Sequence, residues 1–504
     1  MTTADGTTSA LAEAPAQRGP IERHSIDFIP ESERHGTVRQ QGVFWFLSNT
    51  QSLSVAVGFL GPALGLSILW TVVATLLGTL FGTTFMALHA SQGPHLGLPQ
   101  MLQSRAQFGY RGVVVPLLAP IFGNIAYPIL DTVILDVGLH SIFGLNEVLV
   151  AVVTGVVAVV LAIYGYNWLH RMFRLFFWIS LPFWAVLSIA ILAGHAGGHV
   201  TATHLGFVFV PFATQFSYAA SINLSYAPEV SDYSRYLPRK TPFRRVIAVV
   251  HVGASTPLVW LVALGAWLAV GLGATDALTG MDHSGNAIFG HFGDALVTVS
   301  SIVLVLTVGL CYYSASLETL TAVESAGLIS RGRTERTRLR AGITIVIAVI
   351  AGAIAIPLHN VNSTVNNLVL IVFYVLIPWT SVNLFDYFFV RRGRYAITHL
   401  DRPDGVYGAW GWRGIVAYLV GLASIIPFVN LTFWQGPAVS AVNGIDLSWV
   451  TGIVVSTAVY FAVTRSLDLS RDEAAIAESN AELRELGLAE QATRTVDTAA
   501  EERF

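Results

Sequence analysis

Apolar runs of about twenty residues, the length that carries a helix across a bilayer, recur twelve times in this chain of 504 residues. They fall at roughly 43–66, 68–90, 113–138, 146–164, 172–193, 206–228, 246–272, 294–317, 341–357, 365–390, 413–431 and 448–464. Only 12% of residues are charged and 54% are hydrophobic, whereas a soluble domain carries about 25% charged residues. A single span in lipid must satisfy its backbone internally, and the apolar helix does so. The chain therefore reads as an all-α integral membrane protein with the lipid bilayer as a partner. One cysteine, Cys311, leaves no disulfide or thiolate metal site to expect. The net charge of −3 gives no footprint for nucleic acid. No Gly-rich loop ending in Lys-Ser or Lys-Thr is present to bind ATP.

Twelve spans return the chain to the side on which it starts. The 28 Lys and Arg residues fall in the N-terminal tail, the even-numbered loops and the C-terminal end. None falls in an odd-numbered loop. The positive-inside rule then places both termini in the cytoplasm, for a multi-pass protein of the cell membrane. Residues 1–42 are expected to be a cytoplasmic tail, disordered over 1–20, and 43–464 the membrane domain. Residues 465–504 form an acidic cytoplasmic tail with Leu and Ala spaced as on a short amphipathic helix, expected to be solvated.

Polar residues stand where lipid would reject them. The first span is interrupted by Ser48-Asn49-Thr50-Gln51-Ser52, which predicts a broken helix whose freed carbonyls and helix ends can hold a substrate or cation. The third span carries Asn124, Tyr127 and Asp131 at spacings of three and four, on one helical face. Asp131 lies deep in the span, where an acid is functional by default; a permanently protonated structural donor is the plainer alternative. In the sixth span Ser221 and Asn223 interrupt an apolar run, and Pro228 removes a ladder hydrogen bond. Paired interruptions in corresponding positions of two halves point to a transporter site, although Ser and Asn also serve as glue between helices. The eighth span holds Thr307, Cys311 and Tyr312, with Glu318 near its inner end. A hydroxyl such as Thr307 usually bonds its own backbone. Asp386, a turn from Arg391 and Arg392, is expected to pair with them.

Loop segments then carry a resemblance. They are Glu33-Arg34-His35-Gly36, Gly97-Leu98-Pro99-Gln100 with Phe108-Gly109-Tyr110-Arg111-Gly112, Asp232-Tyr233-Ser234-Arg235-Tyr236, and Asp386-Tyr387-Phe388. In this order they resemble the purine–cytosine permease family of nucleobase–cation symporters, which includes cytosine and hydantoin permeases. The resemblance runs from about Ile21 to the twelfth span. It implies a leucine-transporter-like fold with two inverted repeats of five helices, at about 43–193 and 206–390. Helices one and six are broken, and two further helices follow at about 413–464.

The resemblance also implies a planar heterocycle held between spans one, three, six, eight and ten, beside a cation site between spans one and eight. The unwound backbone of the first span falls at Phe46 to Gln51. The carbonyls of Phe46 and Asn49 and the hydroxyl of Thr307 stand as cation ligands, while Leu306 replaces a second hydroxyl. Tyr127 and Asn223 stand where hydantoin-type members carry stacking tryptophans, and Asp131 where they carry a glutamine. The candidate substrate residues are Asn49, Gln51, Asn124, Tyr127, Asp131, Ser221 and Asn223. The implied function is secondary active import of a nucleobase or related heterocycle (cytosine, purine, allantoin- or hydantoin-like) with a proton or sodium ion. Asp131 is the residue for proton coupling. No cofactor is expected beyond the coupling ion, and sodium is the one metal in question. An amino-acid or amine carrier of the same fold and a transport-inactive sensor are the alternatives. Neither HExxH nor GxSxG occurs, so an intramembrane enzyme is not expected.

Overall fold

In the computed structural model, residues 26–199, 206–329, 333–358 and 361–488 are described. The 1–20 tail and the end of the acidic tail lie outside them. Each of the twelve expected spans falls on a helix. The first is a bent pair, α1a (Val38–Ser48) and α1b (Ser52–Ala63), at 57° to one another. Then come α2 (Ile68–Ala90), α3 (Val114–Phe143), α4 (Glu147–Tyr164) and α5 (Tyr166–Leu192). The second half repeats the order with α6a (Phe209–Ser225), α6b (Val230–Ser234), α7 (Phe243–Gly271), α8 (Phe292–Ser325), α9 (Arg333–Ala355) and α10 (Val361–Phe385). Two further helices, α11 (Trp412–Ile425) and α12 (Ser448–Thr464), precede a terminal helix, α13 (Leu469–Glu485). Eight of these helices are long and apolar enough to cross a membrane alone.

The helix starts follow local chemistry. α1a begins at Val38, inside the expected tail, because Thr37 caps it. The Gln40 amide donates to the Thr37 hydroxyl at 3.3 Å, and the Thr37 amide donates to the Gln40 side chain at 2.9 Å. Packing then sorts the helices into two groups. The halves of α1 pack on α7, and α2 packs along both α6a and α7. In the other group α8 packs on α3, α4 and α9. α5 touches α1a and α8, while α10 touches α3 and α6a. Helices five apart thus take equivalent places, which is the inverted-repeat arrangement of a leucine-transporter-like fold. The first group is tight: a Cβ on Gly82 of α2 would lie 2.0 Å from the Ala220 carbonyl of α6a. Only glycine permits that approach.

The arginine-rich face is closed by buried ion pairs. Glu324 at the end of α8 lies 3.6 Å from Arg105 and 2.8 Å from Arg336, and Arg336 also binds Asp27 ahead of α1a. Asp386 pairs with Arg391 at 2.6 Å, as expected, and also accepts from Gln107, Tyr395 and Tyr460. Burial works against the Arg391 charge, but Asp386, with Asp472 at 2.7 Å, holds its pKa above the usual arginine range. Asp472 belongs to α13, so the terminal helix is docked rather than simply solvated. Its Ala475, Ser479 and Leu483 are buried, and the Ser479 hydroxyl accepts from the Thr398 amide.

Candidate functional site

The first break is narrower than expected. α1a stays helical through Ser48, and only Asn49–Gln51 leave the helix, with Gln51 extended at φ −150° and ψ 167°. The sixth span corrects its expectation more strongly. α6a runs intact past Ser221 and Asn223 to Ser225, and the break falls at 226–229. Pro228 has no N–H to give the Leu224 carbonyl, so the helix ends there. Ser221 and Asn223 do not compete for their own backbone because each is bonded to another helix.

An intact α6a places Ser221 and Asn223 on opposite faces, about 200° apart at 3.6 residues per turn. The candidate residues accordingly divide. On one side Asn49 donates to Asn223 at 2.7 Å and to the Ala254 carbonyl at 3.0 Å. Asn223 in turn donates to Thr83 of α2 at 2.7 Å. These bonds tie α1, α2, α6a and α7 together. Asn223 therefore points into the helix seam, away from the side on which a stacking residue is expected.

On the other side Ser221 donates to the Val369 carbonyl of α10 at 2.7 Å. The Tyr127 hydroxyl of α3 lies beside Ser221 and Ser225 without a well-directed hydrogen bond. Asp131, one turn along α3, is 1% exposed and neither carboxyl oxygen has a partner among the described residues. Tyr127, Tyr226, Cys311 and Tyr312 all lie within electrostatic reach of it. The Tyr226 hydroxyl donates to the Ser48 carbonyl at 3.4 Å. Buried residues of α1, α3, α6, α8 and α10 thus converge around Asp131, and together they line the candidate chamber. Gln51 is buried, with its amide donating to the Ser48 carbonyl at 3.2 Å and its oxygen unpartnered among the described residues.

The candidate cation ligands are each engaged locally. The Phe46 carbonyl accepts from Thr50 at 2.7 Å, and the Asn49 carbonyl from Ser54 at 2.7 Å. Thr307 donates to the Val303 carbonyl at 3.2 Å, as a hydroxyl in a membrane helix usually does. α1b and α8 meet through the Ser52 and Ser300 hydroxyls, 2.6 Å apart.

Three residues of the chamber escaped the reading of the sequence or received no role in it. Tyr226 supplies an aromatic ring one turn beyond Asn223, beside Trp45 of α1a at 5.4 Å. Glu229 sits in the α6 break, 1% exposed, with one carboxyl oxygen unpartnered among the described residues. Glu318 of α8 accepts from Asn124 at 3.1 and 3.2 Å. Asp131, Glu229 and Glu318 all act on Cys311, so the three acids surround one stretch of α8. Among the described residues no Lys or Arg stands among the main groups acting on any of them. Three buried carboxyls without a base cannot all carry charge. Protons, a cation or an amino-bearing ligand must balance them.

Comparison with known proteins places the chain in a family. A permease family model, for cytosine/purines, uracil, thiamine and allantoin, matches residues 28–452. YxlA of Bacillus subtilis, a candidate purine-cytosine permease, is 32% identical over 451 residues, covering 88% of this chain and 96% of its own. The purine-cytosine permease FCY2 of Saccharomyces cerevisiae is 22% identical over 82% of this chain and 80% of its own. Among solved structures, Mhp1, a nucleobase-cation-symport-1 family transporter with bromovinylhydantoin bound, superposes with TM-score 0.69 at 18% identity. The match covers 91% of this chain and all of that one. A Na+-coupled sialic acid symporter gives TM-score 0.56 at 11% identity, covering 87% and 91%; likeness at such identities speaks for the fold alone. On the family model and the YxlA match, the chain belongs to the permease family for cytosine/purines, uracil, thiamine and allantoin, and it is a membrane transporter rather than an enzyme.

Proposed function

We propose that the protein is a secondary active symporter that imports a nucleobase or related planar heterocycle across the cell membrane, with its termini in the cytoplasm and a proton as the coupling ion. The observation that carries the reading is Asp131, an unpartnered carboxyl in a base-free chamber beside Tyr127 and Tyr226. A heterocycle with a ring N–H or amino group can donate to that carboxyl. Tyr127 and Tyr226 then offer aromatic surface to its faces, a contact worth about 0.5–1.5 kcal/mol per ring pair beyond the area buried. Gln51 and Asn124 can serve its polar edge. Family membership favours a heterocycle over an amino acid or simple amine, and no observation favours a transport-inactive sensor. Proton coupling is preferred to sodium because Leu306 supplies no oxygen and the Thr307 hydroxyl is turned to its own helix.

The test is uptake by the purified protein in proteoliposomes. A panel of labelled cytosine, uracil, purines, allantoin and hydantoins is offered, with and without sodium, at two pH values. The expected result is accumulation of one of these that follows an imposed pH gradient and ignores sodium. Uptake of amines or amino acids in preference to the whole panel would refute the substrate class. Uptake that needs sodium and ignores the pH gradient would refute the coupling ion.

A further inference from the structure

A cleft of about 520 Å³ opens on the arginine-rich face between α1a and the start of α5, and its lining includes none of the candidate substrate residues. Its cationic lining is Arg39 from α1a, and Arg171 and Arg174 from the first three turns of α5; His35 and the buried His170 line it as well. No Asp or Glu lines it. Elsewhere on the same face Arg105, Arg336 and Arg391 are held in buried ion pairs. Arg39, Arg171 and Arg174 are exposed, and no ion pair holds any of them among the described residues. Trp168 also lines the cleft, with the Arg171 guanidinium 5.5 Å from its ring centroid.

The surroundings bear on which anion would suit the cleft. Beyond the arginines α5 turns apolar and outward: Leu175 is 48% and Trp178 62% exposed. An exposed apolar helix face in this fold meets lipid. The cleft therefore sits where charged head groups end and acyl chains begin, the level at which tryptophan collects. Guanidinium forks match the oxygens of a phosphate, and basic clefts between membrane helices select anionic head groups.

We propose that this cleft binds the phosphate head group of an anionic phospholipid, with Arg39 of α1a and Arg171 and Arg174 of α5 as its ligands and the acyl chains lying along Leu175 and Trp178. The site has a mechanical consequence. α1a is joined to α1b only through the break at Asn49–Gln51, so it can hinge there. Phe44 of α1a already packs on Phe173 of α5 at 4.6 Å and on His170 at 4.3 Å. A head group gripped from both helices adds a second fastening and favours the arrangement in which they are together. Anionic lipid thus stabilises the packing of α1a on α5, whatever heterocycle the chamber carries.

The full chain is placed in nanodiscs of phosphatidylcholine, with or without one part in three of phosphatidylglycerol. The thermal midpoint is measured, and the lipid retained by the released protein is counted by native mass spectrometry. Phosphatidylglycerol should raise the wild-type midpoint and be retained in preference to phosphatidylcholine. Arg171→Gln and Arg174→Gln should each lower that preference about fivefold, the worth of one basic side chain at an anionic surface. Their midpoints in phosphatidylcholine alone should match the wild type, since both side chains are exposed. Equal preference for phosphatidylglycerol in the wild type and in the Arg39→Gln, Arg171→Gln, Arg174→Gln triple variant would overturn the proposal. A separate arm adds inorganic phosphate to phosphatidylcholine discs. A shift as large as that from phosphatidylglycerol would overturn the lipid assignment in favour of a soluble anion.

Discussion

Replacing Asp131 by Asn should separate binding from coupling. The carboxyl is 1% exposed, both its oxygens are unpartnered among the described residues, and no Lys or Arg acts on it. Asparagine has nearly the same shape and keeps a donor, so the chamber should still receive the substrate. What it lacks is a proton to gain and lose. A single charge crossing about 100 mV releases about 2.3 kcal/mol. At about 1.4 kcal/mol per tenfold, one proton per cycle sustains accumulation of about fiftyfold. Asp131→Asn should therefore exchange substrate in counterflow but accumulate it only to about the external concentration. The amide places two donors in a setting that satisfied neither acid oxygen, at a cost of about 1–3 kcal/mol, so the melting temperature should fall modestly. The assay is proteoliposome uptake under an imposed pH gradient and potential, with an entrapped pH dye reporting proton entry. Accumulation by Asp131→Asn to tens of times the external level would refute the reasoning.

Tyr127→Ala should weaken substrate binding by up to about tenfold beyond the area lost, from the 0.5–1.5 kcal/mol of an aromatic contact; unchanged affinity in a thermal-shift titration would take Tyr127 out of the site. A cysteine at His291, whose side chain is 92% exposed, should react with an impermeant thiol reagent on intact cells, while one at Arg394, 60% exposed, should not. Cys311 is buried and should add no background, and labelling at Arg394→Cys alone would reverse the orientation. Glu324→Gln should cost about 1–3 kcal/mol of stability, because it removes the acid that buried Arg105 and Arg336 share and leaves them only Asp401 and Asp27. Arg239→Ala, which breaks a pair 49% exposed on the arginine side, should cost under about 1 kcal/mol. Equal thermal shifts for these last two variants would show that burial does not set the worth of the network.

The helices were legible because lipid leaves few choices. A run such as 146–164 has no reading other than a span, and the structure returns it as Glu147–Tyr164. The ends were less legible, because they depend on capping rather than hydropathy. Thr37 and Gln40 start α1a ahead of its apolar stretch, and a polar, charged opening turn gave hydropathy no signal there. The docking of α13 was invisible for a related reason. Asp472 on an acidic helix reads as solvated, and only the fold brings Arg391, with its partner Asp386, beneath it.

The site shows why polar residues inside a membrane helix are a weaker guide than they look. In the sequence Ser221 and Asn223 read together as an interruption, yet two residues on an intact helix face opposite ways. Ser221 turns to Tyr127 and α10, and Asn223 to Thr83 and Asn49. One borders the chamber and the other stitches the seam behind it. Sequence spacing distinguishes the two only once the helix is known to continue through both. Asp131 was identifiable because its third-span face already held Asn124 and Tyr127. Glu229 was not, since it follows Pro228 and reads as the first charge of a loop. The break moves that loop into the protein, so a residue outside the apolar run becomes one of its most buried acids. A broken helix thus carries a buried acid past the end that hydropathy assigns. In this chain the acid just after the proline-terminated half-helix lies with the buried acids beside Cys311 and not with the loop.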